Sequence, residues 1–81
     1  MMNDYNKEKL NKLKIKRSEL HKQALQLSNQ IVENEIERKE VNDKDLLVIL
    51  NNKLIALANL KNYTIDHITY IQIEMDKIGR Y

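Results

Sequence analysis

The chain has 81 residues, enough for one small domain that alone buries only about 60% of its unfolded surface. It contains no cysteine and no proline, and its single glycine is Gly79; this excludes disulfide or thiolate-metal staples, glycine-rich phosphate loops, and folds that need many turns. The net charge is only +2 but is unevenly placed: residues 7–22 hold seven bases against Glu8 and Glu19, a net +5, while residues 33–45 hold six acids against Arg38, Lys39 and Lys44, a net −3.

The first predicted helix starts at Asn3 or Asp4, both good N-caps, and runs to about Glu40. Leu10, Leu13, Arg17, Leu20, Ala24, Leu27 and Ile31 recur alternately three and four residues apart. That is a heptad seam, with Leu10 at a and Leu13 at d. Asn34 takes the next d position and interrupts the apolar run. A shorter second stripe, Leu25, Asn29, Val32 and Ile36, lies in the C-terminal half of the same helix.

A turn is expected over about 40–43. Asn42 tolerates the left-handed conformation, and Asn42 or Asp43 can cap the second helix. That helix is predicted from about Asp43 to Ile78, with Gly79 at the expected stop. Its seam begins with Leu47, Leu50, Leu54 and Leu57, continues through Lys61 and Thr64, and ends with Ile68, Ile71, Met75 and Ile78. Beside it runs a second stripe at the same spacing: Leu46, Ile49, Lys53 and Ala56, then Leu60, Tyr63, His67 and Tyr70. One neighbouring helix covers one seam, so two adjacent seams call for two neighbours.

Two other patterns compete over the last third. Residues 63–75 are rich in β-branched and aromatic side chains, and Ile71, Ile73 and Met75 alternate with polar residues as in a strand. Asn62 or Thr64 is also placed to cap a separate third helix after a break near 61–64. The leading expectation is an all-α fold, an antiparallel two-helix hairpin of coiled-coil type. Paired hairpins would form a four-helix bundle through Leu25, Val32 and Ile36 together with Leu46, Ile49, Ala56, Leu60, Tyr63 and Tyr70.

Little in the chain points to catalysis, a cofactor or a metal. His21 and His67 are far apart, and no His-x-x-x-His or Glu-x-x-His spacing occurs. The acids near the turn read as a solvated hairpin end. Lys9, Lys12 and Lys16 share one helical face and are candidate phosphate contacts. Lys9 and Lys16 fall at g, and Lys14 and His21 at e, where interhelical ion pairs with Asp66, Glu74 and Asp76 are expected. With a turn centred near 41–42, Arg17 lies opposite Asp66, and a contact between them is expected to help set the register.

No apolar run of about 18 residues occurs, and no apolar leader follows the first methionine, so a soluble cytoplasmic protein is expected. Heavy use of lysine, asparagine and isoleucine fits an AT-rich bacterial, phage or plasmid genome. The function expected is a non-enzymatic interaction module, such as a small regulator, inhibitor or adaptor, acting as a homodimer or on a protein target. A nucleic-acid-binding accessory protein using the basic helix, and a structural or scaffolding subunit, are the alternatives.

Overall fold

The structure is a computed structural model and describes residues 3–79. Helix α1 spans Asp4–Glu40 and helix α2 spans Lys44–Gly79, and the two pack antiparallel along their length. The result is a rod of 62 × 14 × 13 Å with a radius of gyration of 18.3 Å. A globular domain of this length would have a radius of gyration of about 12 Å.

Local chemistry defines three of the four helix ends. Asn3 caps α1, its side-chain Oδ1 accepting a 2.7 Å hydrogen bond from the Asn6 amide. Asp4 in the first turn complements the helix dipole, while Arg38 and Lys39 in the last turn are offset by Glu37 and Glu40. Val41 is extended and its amide donates weakly to the Arg38 carbonyl at 3.4 Å. Asp43 caps α2, with Oδ1 accepting from the amides of Asp45 at 2.8 Å and Leu46 at 3.2 Å. Among the described residues no backbone has positive φ, so the turn closes on an extended Val41 and an aspartate cap rather than on a left-handed Asn42. Helix α2 continues through Gly79 without the left-handed stop expected there; any cap beyond it lies outside the described residues.

The seam is the core. Every seam position from Leu10 to Asn34 in α1 and from Leu47 to Ile78 in α2 is buried or half-buried. An ideal straight helix drifts about 20° per heptad from such a repeat, so continuous burial requires the two helices to wind around each other. The tightest packing is toward the open end of the hairpin. There Leu20, Ile71 and Met75 are buried, with Leu10, Leu13 and Ile68 against them. Nothing breaks α2 at 61–64, and 63–75 is helix rather than strand. Thr64, Ile68, Ile71 and Met75 all fall on the seam, and burying that 3-4 pattern outweighs the weak β preference of the segment. Thr64 is buried with its hydroxyl donating to the Leu60 carbonyl at 2.9 Å, the usual way a helical threonine satisfies itself.

Asn34 is the polar residue left in the seam near the turn. It is buried, and its Nδ2 donates to the Gln30 carbonyl of its own helix at 2.7 Å. That bond is local and adds nothing across the interface. Asn34→Leu is therefore expected to raise stability by about 1–2 kcal/mol in urea unfolding at fixed protein concentration. Asp43→Ala, which removes the α2 cap, is expected to lower it by about 1 kcal/mol in the same assay.

Candidate interaction surface

With Leu10 at a in α1 and Leu47 at a in α2, an antiparallel pair has two long sides. The e and b positions of both helices line one, and the g and c positions line the other. Each side carries a shallow groove. The first is lined by Glu35 and Arg38 of α1 and by Asn51, Ile55 and Ala58 of α2. The second is lined by Gln23, Gln26 and Gln30 of α1 and by Leu60 and Thr64 of α2.

The first side is clipped together by polar bonds. Arg17 Nη1 donates to Gln72 Oε1 at 2.6 Å, and Arg38 Nη1 donates to Asn51 Oδ1 at 3.2 Å. In both cases an arginine at an a position of α1 reaches an amide at an e position of α2. Gln72 Nε2 in turn donates to Asp76 Oδ1 at 3.0 Å. The contact expected between Arg17 and Asp66 does not form. Asp66 lies at the outward f position of α2 and is exposed. Helical side chains lean toward their own N-terminus, so Arg17 reaches past the level of Asp66 to Gln72. Among the described residues these two bonds are the side-chain hydrogen bonds that cross between the helices, and the second side has none.

The interhelical ion pairs expected for Lys9, Lys14, Lys16 and His21 are also absent. The ion pairs among the described residues are Lys12–Glu8 at 3.4 Å and Lys77–Glu74 at 3.6 Å, both within one helix. Exposed pairs gain little in water and restrict two long side chains, so neighbours three or four residues apart meet more readily than residues across the groove. Lys9, Lys12 and Lys16 remain exposed on the second side.

The candidate residues divide between the two sides. The α2 stripe lies on the second: Leu46, Ile49, Leu60, Tyr63 and Tyr70 are exposed by 51%, 61%, 51%, 69% and 61%, and Ala56 is exposed among them. His67 is half-buried in this stripe, its ring 6.5 Å from that of Tyr63. Leu25, Val32 and Ile36 are exposed too, but Leu25 and Val32 at b lie toward the first side and Ile36 at f faces outward. The structure therefore does not bring the α1 and α2 stripes into one surface. On the first side Leu25 and Val32 have company missed in the sequence, Val48, Ile55 and Ile65, also exposed. These three sit at b and e of α2, and the heptad assignment alone would have found them.

The total accessible surface is 6439 Å². A compact monomer of this mass would expose about 5,100 Å², so the rod shows roughly 1,300 Å² more. Among the described residues no helix is long and apolar enough to cross a membrane, and no group of three or more His, Asp or Glu side chains is arranged to hold a metal. Comparison with protein-family models, curated proteins and solved structures finds no match.

The Arg17–Gln72 bond makes a separable prediction. In a double-mutant cycle, Arg17→Ala and Gln72→Ala are expected to couple by about 0.5–1.5 kcal/mol in unfolding free energy. Arg17→Ala and Asp66→Ala are expected to be additive within error.

Proposed function

We infer that this protein is a non-enzymatic protein–protein interaction module, a small regulator, inhibitor or adaptor that works by docking an apolar helical stripe. One observation carries the reading: Leu46, Ile49, Leu60, Tyr63 and Tyr70 form an exposed line along α2. Scattered exposed apolar residues are ordinary, whereas a long aligned patch of them is characteristic of an interface. Its aromatic content fits the same role, since tyrosine offers a large contact area and keeps a polar tip. The surface area beyond that of a compact monomer is more than the roughly 800 Å² that each partner contributes to a standard interface.

The test is site-specific photocrosslinking in the native host, with the crosslinker placed at Tyr63 or Tyr70 and, as control, at exposed Asn52 on the outer face of α2. Discrete protein adducts from 63 and 70, lost on Leu60→Asp and absent from 52, are the expected outcome. Diffuse or absent adducts from the stripe would reject the reading. A salt-sensitive nucleic-acid complex that disappears when Lys9, Lys12 and Lys16 are changed to Glu would replace it with the nucleic-acid alternative.

A further inference from the structure

The second side has a charge pattern that the stripe reading does not use. Along the g and c positions of α1 run Lys9, Lys12 and Lys16, then Glu19, then Gln23, Gln26 and Gln30, then Glu33, Glu37 and Glu40. The lysines are spaced three then four apart, and the last three glutamates four then three. Each lysine therefore has a glutamate at the same distance from the point between Ala24 and Leu25: Lys9 with Glu40, Lys12 with Glu37, Lys16 with Glu33. Glu19 has the neutral Gln30 as its equivalent, so it meets no like charge. Turned end over end about that point, the stripe lays its lysines on its own glutamates.

The α2 stripe has a centre of its own. Leu46 and Tyr70, Ile49 and His67, Lys53 and Tyr63, Ala56 and Leu60 are each equidistant from Ala58. Any stripe of alternating three and four spacing has such a centre; what matters is where it falls. Glu40 and Lys44 flank the turn, so the α1 centre lies level with residues 59–60 of α2. By backbone level, at 1.5 Å per residue, the two centres agree to about 2 Å along the rod. The groove lined by Gln23, Gln26, Gln30, Leu60 and Thr64 opens on this side, at the α1 centre and about a turn beyond the α2 centre.

We propose that the occupant of this side is a second copy of the chain, packed antiparallel about a two-fold axis that crosses the rod near Leu25 and Ala58. This rests on the interaction-module reading and names its partner. A two-fold axis lying in the interface and perpendicular to the helices sets α1 on α1 and α2 on α2, each antiparallel. The α2 stripes then bury each other, with Ala56 against Leu60 near the axis and Leu46 against Tyr70 farther out. Lys53 falls over the ring of the partner's Tyr63, where an ammonium is favoured. Along α1 the basic end of each copy meets the acidic end of the other, and every one of the three lysines faces a glutamate. A two-fold axis parallel to the rod would instead set α1 on the partner's α2, and the lysines and glutamates of α1 would not meet. Such complementarity selects orientation more than it adds affinity. The clipped side, with Arg17 and Arg38 engaged, stays outward.

The test uses two block variants. In one, Lys9, Lys12 and Lys16 become Glu; in the other, Glu33, Glu37 and Glu40 become Lys. Every substitution is at an exposed helical position, and circular dichroism checks that both variants fold. In sedimentation at low salt the wild type is expected to be a dimer. Each variant alone is expected to have its dissociation constant raised by about 100-fold or more, and their equimolar mixture to dimerise again. Orientation is read separately, because the chain has no cysteine of its own. Gln26→Cys is expected to crosslink to itself, and Lys9→Cys to crosslink to Glu40→Cys but not to itself. A monomeric wild type, a mixture that does not re-form dimers, or self-crosslinking of Lys9→Cys would overturn the proposal. Its failure is distinct from that of the stripe reading: photocrosslinks from Tyr63 to a different protein would keep the module and reject the second copy.

Discussion

Everything in this molecule depends on a single apolar seam. Each helix has one neighbour, so burial is limited to the a and d positions and the few residues beside them. Leu20, Leu50, Ile71, Met75 and Ile78 are the buried apolar residues among those described, and none of them is fully shut off from solvent. Ordering a residue costs about 1–2 kcal/mol of backbone entropy, and a thin rod recovers less of that by burial than a globule does. The same constraint explains the surface. A helix with a second apolar stripe and only one neighbour must leave that stripe in water, and α2 does.

The fold was legible because one signal, the alternating three and four spacing, runs unbroken through both helices. It correctly placed Arg17, Lys61, Thr64 and Asn34 inward despite their polarity. The local signals were less decisive. Residues 63–75 carry strand-like composition, yet their apolar positions also keep helical phase, and long-range packing against Leu10, Leu13 and Leu20 settles the matter. The turn was placed within a residue, but its backbone was not foreseen: a left-handed asparagine and an extended valine with an aspartate cap serve the same sequence equally well on paper.

The candidate surface was legible residue by residue and not as a whole. Exposure of each stripe member follows from its heptad position. Which stripes share a side depends on comparing e and g positions across an antiparallel pair, and this separates Leu25, Val32 and Ile36 from the α2 stripe. Side-chain partners were harder still. Matching backbone levels put Arg17 opposite Asp66, but a helical arginine leans most of a turn toward its N-terminus and an f-position aspartate faces water. The two crossing bonds, Arg17–Gln72 and Arg38–Asn51, have both partners displaced by 21 residues, three heptads, and so repeat one geometry.

That repetition bears on what the uneven charge is for. If the basic and acidic segments served to hold the hairpin shut, ion pairs would cross between α1 and α2, and among the described residues none do. The crossing bonds run instead from arginine to neutral amides, and both lie on the first side. On the second side the charges of α1 are segregated by sign, Glu19 excepted, with an uncharged glutamine block between them. Segregation adds nothing to an isolated helix, where mixing signs at three and four spacing would stabilise it slightly. It does matter to a surface that must tell one end of a partner from the other. In the proposed pairing, the apolar stripe of α2 supplies adhesion without direction, and the graded stripe of α1 beside it supplies direction with little adhesion. Under that proposal, their alignment along one side would make this face of the rod a specific surface rather than a merely sticky one.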